Sequence, residues 1–254
     1  MDDLQRTIAT IGLQAAESFG FVLAGGYAIR QYGIGSRASD DVDIFTNLTD
    51  PDRFAEAVAK VCRAYVDAGL TAVVTRQAPT FARIAVSDSG GATSEIDLGV
   101  DYRAQAPAAM DIGPVLSLAD AAGSKIAALY GRFLPRDYLD AYALLQSGKF
   151  SRDSLLSLAD AREATPLDRT MLADCLHGVE DIDDRDFSAY GTPEEDIAAM
   201  RVAFHEWADD LSAVSPTRRT QAHRAPTTQV PPMSTSPQPP PASGPTERYS
   251  GPSR

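Results

Sequence analysis

Gly25-Gly26-Tyr27-Ala28, followed by Arg37-Ala38-Ser39-Asp40-Asp41-Val42-Asp43-Ile44-Phe45, is the stretch on which the fold turns. The glycine pair comes directly after the short apolar run Phe21 to Ala24, which predicts a strand, a tight turn and a helix from Tyr27 to Tyr32. Glycine has no Cβ, so backbone N–H groups at such a turn can approach a triphosphate at the start of the helix. Val42-Asp43-Ile44-Phe45, β-branched and aromatic, reads as a strand. Strand alternation puts Val42 and Ile44 on a core face and Asp41 and Asp43 together on the other. Two adjacent carboxylates repel each other. Magnesium removes that repulsion and keeps positions free for phosphates and water. An isolated Asp-x-Asp is more often surface decoration, but on an otherwise apolar strand threonine or lysine would be the ordinary choice for a solvated face.

The elements around this stretch alternate. Leu4 to Phe19 has the apolar period of an amphipathic helix, and Pro51, well placed in a first turn, opens a helix to about Ala68. Three β-rich runs follow, Leu70 to Arg76, Phe81 to Val86 and Ser94 to Asp101. From Leu118 the period is helical throughout: Leu118 to Tyr130, Arg136 to Gln146, Arg152 to Arg162, Leu167 to Leu176 and Glu194 to Leu211. The expectation is an α+β chain with a mixed sheet and its helices over residues 1–110 and a helical domain over 111–214. Residues 215–254 hold 10 of the 17 prolines and many Ser and Thr, a composition that predicts a disordered tail. Its run Pro237-Gln238-Pro239-Pro240-Pro241 has the form of an SH3-type ligand, although an inert tail is the plainer reading.

Further polar residues in these elements carry candidate chemistry. A third carboxylate is wanted near the attacking group in metal-assisted phosphoryl transfer. Asp97, in Glu95-Ile96-Asp97-Leu98, is the best placed, sharing a strand face with Glu95 and Asp101. Lys125 is the one lysine in a helix of mostly small and apolar residues. It either reaches phosphates as a point charge or runs its stem out to water. Asp137 and Asp140 share a helix face near Arg132 and Arg136, and on residue chemistry alone they read as helix-terminal acids in ion pairs.

Charge is uneven along the 254 residues. Residues 1–150 carry 13 basic and 18 acidic side chains, net −5, residues 151–214 carry 5 and 16, net −11, and the remainder is net +4. A negative overall field weakens non-specific attraction to polyanions, so charge alone gives no support for nucleic-acid binding. No apolar run approaches the length of a membrane span, and the chain opens Met1-Asp2-Asp3-Leu4 rather than with a basic leader. Cys62 and Cys175 lack the spacing of a metal site or disulfide framework. The expected location is the cytoplasm.

Taken together, the glycine pair, Tyr32-Gly33, the run Arg37 to Phe45, Lys125 and Arg136-Asp137-Tyr138-Leu139-Asp140 resemble the AbiEii-type nucleotidyltransferases, toxin halves of bacterial toxin–antitoxin systems. The resemblance spans about residues 20–147. It implies a DNA-polymerase-β-like core with NTP and magnesium as cosubstrate and cofactor, and a cognate antitoxin. By position, Gly25, Gly26, Arg37 and Ser39 would embrace the triphosphate and Asp41 and Asp43 would hold metal. Lys125 and Asp137 would complete the catalytic set, and Asp97 matches a looser third metal-ligand position. Relatives that modify tRNA make an RNA acceptor, a tRNA end, the expected substrate. The acidic residues after 150 give little of the basic surface such an acceptor needs. Two other readings therefore stand beside it: an adenylyltransferase of a small hydroxylated compound such as an aminoglycoside, and a catalytically silent nucleotide-binding module.

Overall fold

The structure, a computed structural model, describes residues 1–214; the expected tail lies outside the described residues. Helix α1 (Asp3–Ala15) begins with a reciprocal cap. The Gln5 amide N–H donates to the Asp2 carboxylate at 2.7 Å, and the Gln5 side chain accepts from the Asp2 N–H at 3.1 Å. A short 3₁₀ turn over 17–19 takes the place of the last turn expected of this helix. Strand β1 (Val22–Leu23) and helix α2 (Gly25–Gln31) follow, and α2 starts at the glycine pair itself. After strand β2 (Asp41–Thr46), helix α3 (Pro51–Asp67) is capped by Asp50, with proline in its first turn as expected. Strands β3 (Thr71–Ala78), β4 (Phe81–Ser87) and β5 (Thr93–Val100) correspond to the three β-rich runs.

Two strands of three residues were not anticipated, β6 (Ala108–Met110) and β7 (Gly113–Val115). They are too short to show a period, and Gly113 and Pro114 read as turn residues. Strand β7 pairs in parallel with β1, so the sheet takes in residues past 110. Its order is β3-β4-β5-β2-β1-β7-β6, with β2 parallel to β5 and the pairs β1/β2, β3/β4, β4/β5 and β6/β7 antiparallel.

The sheet has two chemically different faces. Val42 and Ile44 of β2, Ile96 and Leu98 of β5 and Ala82, Ile84 and Val86 of β4 are fully buried. Helices α1 and α3 pack together and against this face, bringing in Ile8, Leu13, Phe54, Val61 and Tyr65. The Tyr65 hydroxyl, unable to reach water, donates to the Ile8 carbonyl at 2.8 Å. The opposite face presents Asp41, Asp43, Glu95 and Asp97.

Beyond β7 the chain is helical: α4 (Leu118–Arg132), α5 (Pro135–Gln146), α6 (Arg152–Asp160), α7 (Arg169–His177), the short α8 (Asp184–Ser188) and α9 (Glu194–Val214). Helix α4 packs on α2, α5, α6 and α7, and α7 on α9. Tyr138, Phe187, Phe204 and Trp207 are fully buried between them, in one apolar core that runs from Ile8 to Leu211. Cutting a buried leucine such as Leu129 or Leu144 back to alanine would cost about 2–5 kcal/mol. Among the described residues, no helix is long and apolar enough to cross a membrane.

Candidate active site

Strand register builds the acidic site. Asp41 lies opposite Glu95 and Asp43 opposite Asp97 in the parallel β2/β5 pair. Because side chains alternate, all four carboxylates stand on the face turned away from α1 and α3. Oxygens of Asp41, Asp43 and Asp97 all lie within 4.8 Å of one another. At Asp43, burial first and the charge of Asp41 next push the carboxyl up to about 6, with Asp97 adding and Lys125 and Arg136 opposing.

The glycine pair is fitted to these groups. Gly25 sits at φ +60°, in the left-handed region, and a Cβ there would lie 1.8 Å from the Asp43 Oδ2. A Cβ on Gly26 would come 2.8 Å from the Arg37 Nη2 and 3.5 Å from the Ser39 Oγ. The start of α2 is therefore pressed against Asp43 on one side and against Arg37 and Ser39 on the other. The loop holding Ser39 is pinned from two helices. Its carbonyl accepts from the Gln5 Nε2 at 3.0 Å and from the Tyr27 hydroxyl at 3.1 Å. Tyr27 also donates to the Gln5 side chain in a short contact.

Lys125 does not run out to water. It is buried, with its Nζ 2.7 Å from the Asp140 Oδ2. Arg37 reaches the same carboxylate through two bonds, Nε to Oδ1 at 2.6 Å and Nη2 to Oδ2 at 2.8 Å. Burial alone would push the Asp140 carboxyl up. The charges of Lys125 and Arg37 overcome that and hold it below the usual carboxylate range. The Arg37 guanidinium also lies 5.6 Å from the centre of the Tyr190 ring. With Asp140 it forms part of the wall of a cavity of about 470 Å³ that also includes Tyr142, Tyr190 and Asp196.

Of the residues singled out in the sequence, the structure brings together Gly25, Gly26, Arg37, Ser39, Asp41, Asp43 and Asp97. Lys125 joins them through Asp140 rather than through Asp137. Asp137 is fully buried at the start of α5, where it accepts from the Leu134 N–H at 3.1 Å and takes a two-pronged clasp from Arg132. Asp101 pairs with Arg162 at 2.6 Å and lies outside the cluster.

Two site residues were missed in the sequence. Asp140 reads on residue chemistry like Asp137, as a helix-terminal acid, and the resemblance singles out Asp137 alone; a spacing of three residues on one helix face gives no other basis for choosing between the two. Arg83 was not considered at all. It is the one charged residue of β4, and its guanidinium binds Asp97, Glu95 and Asp41 at 2.6, 3.1 and 3.3 Å. The available signal was its place in Ala82-Arg83-Ile84-Ala85-Val86, a charge on the non-core face of a strand that otherwise alternates cleanly.

A search of curated protein sequences finds no significant match. Among solved structures, JHP933 from Helicobacter pylori superposes with a TM-score of 0.52 at 14% identity, covering 87% of this chain and 97% of that one. MenT4, a nucleotidyltransferase toxin from Mycobacterium tuberculosis, gives a TM-score of 0.52 at 18% identity over 82% of this chain and 83% of its own. At such identities the likeness is one of fold. The sequence itself matches the family described as "Nucleotidyl transferase AbiEii toxin, Type IV TA system" over residues 13–225. That span contains the glycine pair, the Asp-x-Asp strand and the Lys125 helix alike, and the chain accordingly belongs to the AbiEii nucleotidyltransferase toxin family.

Proposed function

We propose that this chain uses a divalent metal ion to transfer a nucleoside monophosphate from an NTP to a hydroxyl of RNA, at a tRNA end, as the toxin partner of a cognate antitoxin. The observation that carries the reading is the meeting of the carboxylate trio with the Gly25-Gly26 turn, since triphosphate and metal must share one site in this chemistry. The donor set suits magnesium, which prefers carboxylate oxygens, and the raised Asp43 carboxyl marks a place short of positive charge. Asp41 and Asp43 would hold the ion, with Asp97 beside them. Bound there, it supplies charge neutralisation to the phosphoryl oxygens.

The protein's own groups do the positioning. Lys125 and Arg37 set two positive charges against the single carboxylate of Asp140, leaving a net positive cluster beside Gly26 for the triphosphate. Ser39, held by Gln5 and Tyr27, offers a hydroxyl on the same side. Asp137 fixes Arg132 and the start of α5, and with it the helix that carries Asp140. The acceptor oxygen then attacks the α-phosphorus in line, the bond to the β-phosphate oxygen breaks, and pyrophosphate departs.

One observation favours a second acceptor class. The segment 151–214 is net −11, and the wall of the cavity beside Arg37 carries Asp196 with Tyr142 and Tyr190, which suits a small cationic hydroxylated compound such as an aminoglycoside. The experiment incubates purified protein with magnesium, each α-labelled NTP in turn, and total RNA or an aminoglycoside. The expected result is a labelled tRNA-sized band that Asp41→Ala abolishes. Label on the aminoglycoside alone would replace the RNA reading. No label anywhere, with a rise in melting temperature on adding NTP and magnesium, would leave only a silent nucleotide-binding module.

A further inference from the structure

The three carboxylates of the trio are not equivalent, because Arg83 reaches only some of them. Register places Arg83 of β4 opposite Asp97 of β5, which in turn lies opposite Asp43 of β2. One row across three strands thus reads Arg, Asp, Asp. The guanidinium grips Asp97 as a fork, Nε to Oδ1 at 2.7 Å and Nη2 to Oδ2 at 2.6 Å. Its Nη1 holds Glu95 at 3.1 Å, and Nη2 also touches Asp41 at 3.3 Å. Asp43 forms no ion pair among the described residues, so the open negative charge lies on the Asp43 side of Asp41.

We infer that Arg83 takes the place of a second divalent cation: the cluster holds one metal ion, on Asp41 and Asp43, while the guanidinium neutralises Asp97. The inference rests on the metal-binding reading of Asp41 and Asp43 and adds its stoichiometry. A guanidinium cannot be deprotonated in a protein. Asp41, Asp43, Glu95 and Asp97 with Arg83 carry a net charge of −3. One divalent ion leaves the cluster slightly negative. Two would make it positive, with the second ion packed against a fixed cation. For Asp97 to serve a second metal, Arg83 would have to give up both prongs on Asp97 and its contact with Glu95 together.

The experiment counts manganese bound per chain by electron paramagnetic resonance on the nucleotide-free protein, the state to which this charge count applies. Wild type is expected to bind one ion, Arg83→Lys one, and Arg83→Met two. Two ions on wild type would overturn the inference while leaving the metal reading intact. One ion on a folded Arg83→Met protein would also overturn it, since the arginine would then exclude nothing. No ion on wild type would remove the metal reading and this inference with it. The wild-type count decides the question even if Arg83→Met does not fold.

Discussion

Asp43 and Asp140 are aspartates in the same cluster of polar groups, both closely surrounded by protein, yet their carboxyls are driven in opposite directions. At Asp140, Lys125 and Arg37 outnumber a single carboxylate and hold it below its ordinary range. At Asp43, burial and two neighbouring carboxylates push it up to about 6. Burial costs both residues the same kind of desolvation, so the sign is set by the local count of charges. Where cations are in excess, an aspartate ties α5 to the Arg37 loop and α4. Where carboxylates are in excess, the strand is left in a state that a metal ion would complete.

The largest test of this contrast removes the open side. Asp41→Asn should lower nucleotidyl transfer by about 10³-fold, the equivalent of a few kcal/mol of lost metal-assisted stabilisation, with little change in melting temperature. Equal losses of activity and stability in a melting assay would erase the distinction between the two sites. Next comes the closed side. Asp140→Ala leaves Lys125 buried without its partner, so unfolding titrations should show a loss of about 3–5 kcal/mol.

Gly25→Ala attacks the seam between α2 and the trio. The residue would need a left-handed backbone and would force Asp43 aside, so about 2 kcal/mol of stability should be lost. Manganese affinity, read by titration, should fall more sharply than stability. The smallest effect is one of pH. Because the Asp140 carboxyl is lowered in the fold, its stabilising contribution is complete above the ordinary aspartate value near 4 and is lost as pH falls through the folded value. Acid melting curves of wild type and Asp140→Asn should therefore lie apart at neutral pH and draw together below about pH 4.

The same contrast shows which parts of the molecule were legible in the sequence. The open side was readable because it is local. Asp41, Asp43 and the alternating Val42 and Ile44 occupy one strand, and Asp97 repeats that pattern on another. Arg83 stood out only as a charge on an alternating strand; its partners come from the register of β4 against β5, which a single strand does not encode. The closed side is worse in this respect. Arg37, Lys125 and Asp140 come from a loop and two helices about 100 residues apart, and the helix period put Asp137 and Asp140 on one face without saying which meets the lysine. Strands β6 and β7 escaped notice because three residues containing Gly113 and Pro114 show no alternation, and their pairing with β1 is a tertiary fact.

The central claim is that Asp43 belongs to a site short of positive charge which a divalent cation completes. Melting wild type and Asp43→Asn side by side, with and without manganese, tests it directly. Without metal the variant should melt about 2–4 °C higher, since relieving the repulsion recovers about 1 kcal/mol. Manganese should raise the wild-type midpoint and leave the variant where it was. A variant that melts below wild type without metal, or that gains as much from manganese, would contradict the account.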